Sequence, residues 1–165
     1  MTAFDDMTRR AKRVALDTSA CIYFLGKVEP WDRMVRTIVE RARDADVELE
    51  LSSIVQFELL VRPLRERNQA EIDRVMMFTD RGPNLHLAPI DRARLLLGAS
   101  VRARTRLSTP DSIIVASAAL SDCDLVVGND RLFKRTAELT GERTVFGSPI
   151  TFPKYIHLDD YVEGA

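Results

Sequence analysis

Histidine and cysteine are scarce in this chain of 165 residues, which has only His86, His157, Cys21 and Cys123. The histidines lie in strand-like segments, and no motif pairs either ring with a nucleophile. A Ser-His-Asp or Cys-His mechanism therefore has no support, and both rings read as structural. The cysteines sit in apolar surroundings without metal-ligand spacing, so no disulfide framework is indicated and a reducing cytoplasm is the expected location. No apolar run is long enough to span a bilayer. Arg9, Arg10, Lys12 and Arg13 precede a short strand-like run rather than the apolar region and cleavage site of a signal peptide. An excess of charge is missing too: 24 Lys and Arg face 25 Asp and Glu, for a net charge of -1. Any contact with a polyanion must then rest on local basic patches. Internal repeats and low-complexity segments are also absent, so one domain of ordinary size is expected.

What is present is an alternation of strand-like and helix-like segments. Residues 1–12 read as a flexible, polar extension. Arg13-Val14-Ala15-Leu16 is a short buried strand that delivers Asp17, and a helix follows from Thr18. Trp31, Met34, Val35, Ile38 and Val39 recur at helical spacing, which predicts an amphipathic helix over 30–44. Leu49-Glu50-Leu51 is a second strand, and helices are expected over 54–64, despite Pro63, and over 69–79. After the turn Gly82-Pro83-Asn84, a third strand covers 85–90 and Asp91 opens a helix through Val101. Ser108-Thr109-Pro110 starts an apolar helix from Asp111 to Leu120, Leu125-Val126-Val127 is the clearest buried strand, and Gly128-Asn129-Asp130 turns the chain. A short helix over 131–139 stopped by Gly141, extended stretches at Val145-Phe146 and Ile150-Thr151-Phe152, and a tail from 153 to 165 complete the reading. Such alternation implies an α/β fold: a mostly parallel sheet covered by helices on both faces.

In an open parallel sheet, ligands gather beyond the C-terminal ends of the strands, where Asp17 and Asp130 are expected. Each also has a plainer explanation, since Asp17 can cap the helix from Thr18 and Asp130 the helix from Arg131. Asp111, just after Pro110, meets the positive end of its helix and gains roughly 0.3–1 kcal/mol from that alone. Glu58 shares a helical stripe with Ile54 and Val61, so it is expected to face inward, where a carboxylate needs a cation or strong donors. Four converging acids would repel one another unless divalent cations neutralise them. Oxygen-only ligands select hard ions, Mg²⁺ or Mn²⁺ rather than Zn²⁺. Such ions activate water and stabilise a leaving oxygen in phosphodiester hydrolysis.

Taken in order, Val14-Ala15-Leu16-Asp17-Thr18-Ser19, then Glu58, then Thr109-Pro110-Asp111-Ser112-Ile113-Ile114-Val115-Ala116, then Val127-Gly128-Asn129-Asp130 resemble the motifs of the PIN-domain ribonucleases, in particular the VapC-like toxins of toxin–antitoxin pairs. The resemblance covers roughly residues 13–152. It implies a small α/β/α sandwich, with Asp17, Glu58, Asp111 and Asp130 as Mg²⁺-binding catalytic acids and Thr18, Ser19 and Asn129 as polar support. It further implies an RNA substrate, a cognate antitoxin whose Arg or Lys could enter the acidic site, and a homodimer. Arg102, Arg104, Arg106 and Arg131 are candidates for RNA phosphate contact, although solvated helix faces explain them equally well. Trp31 and apolar residues of the early helices could line an antitoxin groove, with core packing as the alternative.

Three rival readings remain. A von Willebrand A-like metal-dependent binding module would use Asp17-Thr18-Ser19-Ala20-Cys21, but Cys21 stands where that motif has a second serine, and Glu58 would have no role. A phosphotransfer enzyme with an aspartyl nucleophile would use Asp17, but position 19 is Ser where the haloacid dehalogenase pattern has a second Asp. A housekeeping RNA-processing nuclease of the same family would share every motif with a toxin.

Overall fold

Hydrophobic period and capping chemistry explain most elements of the computed structural model, which describes residues 2–139 and 147–162. Five parallel strands form one sheet in the order β3-β2-β1-β4-β5, comprising β1 (Arg13–Leu16), β2 (Glu48–Ser52), β3 (Leu85–Ala88), β4 (Leu125–Gly128) and β5 (Lys154–His157). Val14, Ala15 and Leu16 in β1 and all four residues of β4 are buried, as strands covered on both faces must be. From β1 the chain moves outward to β2 and β3, then returns to pair β4 on the other side of β1. This reversal opens a crevice between the C-terminal ends of β1 and β4.

Helices α2 (Thr18–Gly26), α3 (Trp31–Arg43), α4 (Ser53–Glu66), α5 (Gln69–Arg81), α6 (Arg92–Thr105) and α7 (Thr109–Leu120) cover the sheet. In α3, Val35, Ile38, Val39 and Ala42 are buried at helical spacing, as the periodicity predicts. Helix α7 is buried almost all round from Ser112 to Ala119, which is why its sequence shows no polar stripe. Asn68, Asp91 and Ser108 cap α5, α6 and α7 by accepting from backbone N–H groups three residues on.

The structure differs from the sequence reading at both ends. Within the expected flexible extension, Ala3–Thr8 form helix α1, closed by a capping box between Thr2 and Asp5. Phe4 is buried and packs edge-on against Tyr161 at 5.6 Å, while Arg41 of α3 donates to the carbonyls of Thr8, Arg9 and Ala11. At the other end, the last strand falls at 154–157 rather than 150–152, inside the expected tail, because Tyr155 to His157 complete the edge beside β4. A short 3₁₀ helix, Leu158–Tyr161, follows. The helix expected over 131–139 is a 3₁₀ helix, Arg131–Glu138. The Gly141 stop and Val145-Phe146 lie outside the described residues.

Glu58 also departs from expectation. The buried stripe of α4 is Val55, Leu59 and Pro63, so Glu58 is only half-buried and Val61 is exposed. The period was right, but the inward phase is set by what α4 packs against.

Candidate active site

Asp17 leaves β1 and its backbone N–H extends the parallel ladder, donating to Val127 O at 3.0 Å. One carboxylate oxygen then caps α2: Oδ1 accepts from Ala20 N at 2.8 Å and from the Ser19 hydroxyl at 2.7 Å. The other oxygen faces Gly128 so closely that a Cβ there would stand 1.8 Å from Oδ2. Glycine at 128 is thus needed for close approach to the carboxylate. Capping and a place in the crevice coexist in this side chain.

Asp17 is 3% exposed. Burial pushes its carboxyl up to about 7, against the hydrogen bonds from Ala20 and Ser19, and the charge of Asp111 adds to the rise. Asp111 sits in the first turn of α7, where its N–H and one carboxylate oxygen are both bonded to the Ser108 hydroxyl. Its pKa is raised, first by burial and then, against the Ser108 hydrogen bond, by the charge of Asp130. Asp130 caps the 3₁₀ helix through Leu132 N at 2.8 Å and donates its own N–H to Tyr155 Oη at 2.9 Å. Glu58 reaches the same end of the sheet from α4 by accepting from the Thr18 hydroxyl. Asp17, Asp111 and Asp130 therefore sense one another's charge, and Glu58 is tied in through the residue next to Asp17.

Among the described residues no three of these acids are drawn into a ready-made ligand group. Their chemistry nonetheless suits a hard divalent cation: every donor is a carboxylate oxygen, and the most buried acid, Asp17, has no ion pair among the described residues.

A second network, not found in the sequence reading, fixes the β4 end. Asp159 Oδ1 accepts from Asn129 Nδ2 at 3.0 Å and Trp31 Nε1 at 2.8 Å, while its N–H donates to Asn129 Oδ1 at 3.1 Å. Burial works to raise the Asp159 carboxyl, but the hydrogen bonds from Asn129 and Trp31 outweigh it and hold the carboxyl below its usual value. Asn129 also donates to Tyr23 at 3.2 Å, and its backbone N–H donates to the Ser19 hydroxyl at 2.8 Å. Trp31 stacks on Tyr23 at 4.6 Å, so its surroundings are internal packing. Tyr155, stacked on Phe133 at 4.9 Å, has its hydroxyl pKa raised by burial and by the charge of Asp17. The sequence signal available for Tyr155 was the strand-favouring pair Tyr155-Ile156 shortly after Pro153.

The basic candidates separate. Arg102 donates to Thr109 Oγ1 at 2.8 Å and Leu107 O at 3.3 Å, bracing the connection that presents Asp111. Arg106 is the left-handed C-cap of α6, and Arg104 and Arg131 are exposed.

The fold is a parallel α/β sandwich that gathers acidic residues at the switch point of its sheet. The chain belongs to the PIN domain family, whose profile matches residues 14–139. Nucleases of this family generally use a divalent metal. Its fold is that of chains in VapBC2 from Rickettsia felis bound to a promoter DNA fragment (TM-score 0.57, 18% identity, covering 78% of this chain and 93% of that one). A toxin-antitoxin complex from Klebsiella pneumoniae is similar (0.58, 19%, 79% and 96%), as is DNA-bound VapBC from Salmonella typhimurium (0.56, 19%, 89% and 98%). No curated protein matches the sequence. Among the described residues no helix is long and apolar enough to cross a membrane.

Proposed function

We propose that this protein is a Mg²⁺-dependent endoribonuclease and the toxin of a toxin–antitoxin pair. The observation that carries the reading is Asp17: a buried carboxylate at the switch point, raised toward neutrality by burial and by Asp111, with no cationic partner among the described residues. Asp17, Glu58, Asp111 and Asp130 would hold the metal, which Mn²⁺ could replace. When bound, the metal supplies a nucleophilic water and charge stabilisation for phosphodiester hydrolysis. The chain's own residues do the rest. Ser19 and the α2 N-terminus fix one Asp17 oxygen, Ser108 aims Asp111, Thr18 orients Glu58, and Asn129 with Asp159 anchors the β4 end. Arg102, Arg104, Arg106 and Arg131 are the proposed RNA phosphate contacts, and the exposure of Arg104 and Arg131 supports that role.

An antitoxin partner is supported by the complexes in which the similar chains occur and by an apolar groove of about 200 Å³ between α2, α4 and α5. Ile22, Leu25, Leu59, Pro63 and Val75 line it, Glu58 is on its wall, and Phe57, Leu64 and Met77 are exposed nearby on the same helices. An amphipathic helix seated there could direct an Arg or Lys at Glu58, which suits inhibition by a partner better than a housekeeping role.

The test is cleavage of a labelled, structured RNA pool by the full chain with Mg²⁺, with EDTA, and with Asp17→Asn and Asp111→Asn in parallel. Cutting that requires the metal and disappears in both variants is expected. Cutting that persists in EDTA would overturn the reading. Sedimentation of the pure protein checks the expected homodimer, and cell fractionation checks the expected cytoplasmic location.

A further inference from the structure

His157 is buried at 2% exposure, yet neither ring nitrogen has a hydrogen-bond partner among the described residues. An unpaired buried imidazole is costly, because one nitrogen of the neutral ring is a donor and the other an acceptor. The ring lies at the C-terminal end of β5, in register with Gly128, one strand spacing of about 4.8 Å from β4, whose end leads to Asp130 two residues on. It lines an open cavity of about 340 Å³ together with Tyr155, Tyr161, Pro153, Lys134 and Asp160. Tyr155 forms the shared wall: its hydroxyl accepts from Asp130 N–H, and its ring lies edge-on to His157 at 6.3 Å.

The lining has mixed polarity. Lys134 is neutralised by Asp160 at 2.8 and 3.0 Å, and Lys154 Nζ lies 3.2 Å from Met7 Sδ. The Asp160 carboxylate stays 3.7 Å from His157 Nδ1, beyond hydrogen-bond distance. A phosphate pocket would present several unpaired cations, whereas among the described residues Lys154 alone of the two lining lysines lacks a carboxylate partner. This cavity has in its wall a buried ring whose donor and acceptor are unused among the described residues, beside a carboxylate acceptor, two ammonium donors and flat tyrosine and proline surfaces. Single-stranded RNA bases are recognised by this combination, with edge hydrogen bonds and stacking on aromatic rings. The volume is at the low end for ligand pockets and suits one base.

We propose that this cavity is a specificity pocket for a single unpaired base of the RNA strand that crosses the acid cluster. The assignment rests on the ribonuclease reading above, and it names what selects the cut site. Tyr155 couples the two by holding the Asp130 backbone on one side and the base on the other.

The test uses the full metal-free chain titrated with each of the four 5′-ribonucleoside monophosphates, read by calorimetry and by the His157 imidazole NMR signals. One base is expected to bind at least about tenfold more tightly than the rest and to shift those signals. His157→Phe should remove the preference, and Asp160→Asn, at an exposed position that turns an acceptor into a donor, should change which base is preferred. Equal binding of all four, no binding tighter than about 10 mM, or equal displacement by inorganic phosphate would each overturn the pocket. Should His157→Phe fail to fold, the Asp160→Asn result decides. Cut-site mapping separates the two readings: a wild-type nuclease with identical cut sites in both variants rejects the pocket alone. His157-dependent nucleotide binding without RNA cleavage rejects the nuclease alone.

Discussion

Burial holds the Asp17 carboxyl at about 7 while the unfolded chain returns it to its ordinary value of 3.8. The native state therefore binds more protons between those values. Stability contributed by protonated Asp17 is full below about pH 4 and is lost as pH rises through about 7, up to about 4 kcal/mol in the metal-free protein. Asp17→Asn keeps an Oδ1 acceptor for Ala20 and Ser19 and removes the charge. In EDTA at pH 8 its melting temperature should exceed wild type, and the pH dependence should flatten across pH 4–7 in a thermal-melt series. A lower melting temperature for Asp17→Asn at pH 8 would show that the charge has a partner. Gly128→Ala tests the same contact from the other side. With a Cβ 1.8 Å from Asp17 Oδ2, the carboxylate must move. We expect about 1–3 kcal/mol of destabilisation in urea and loss of RNA cleavage comparable to that of Asp17→Asn.

Helix α1 and strand β5 extend the domain beyond the segment that carries the acids. Phe4 is 1% exposed, and its burial makes α1 part of the core. Phe4→Ala should cost about 3–5 kcal/mol in chemical denaturation, whereas a loose tail would lose nothing. Ser108 supports α7 twice, accepting from Asp111 N–H and donating to the Asp111 carboxylate. Ser108→Ala should cost about 1 kcal/mol and lower the cleavage rate, with Ser108→Thr restoring both, as measured by urea melts and initial rates.

On the scale of the whole molecule, the proposed catalytic crevice and the apolar groove meet at Glu58. Phe57, at 63% exposure, lies outside the core, and the proposed antitoxin contact would cover it. In the toxin reading, Phe57→Glu should weaken capture of a cognate antitoxin by at least about tenfold in a pull-down, with RNA cleavage intact. Loss of cleavage instead would show that the α4 face belongs to the nuclease site.

Residue order alone determined the parallel α/β class and the positions of Asp17, Asp111 and Asp130, because strand runs, caps and Pro110 are local signals that act over a few residues. Tertiary structure decided what depends on contacts far apart in sequence. The phase of α4, which leaves Glu58 half-buried, is set by its packing against its neighbours. Asp159 bonds Trp31 across 128 residues, and Tyr155 reaches Asp130 only because β5 pairs with β4. Glu50 shows the same limit: within Leu49-Glu50-Leu51 it looked like an ordinary strand residue. It is in fact 1% exposed, accepting from the Ser121 hydroxyl and lying 2.7 Å from His86 Nδ1. A carboxylate can be buried only where distant partners meet it, and a local pattern does not carry that information.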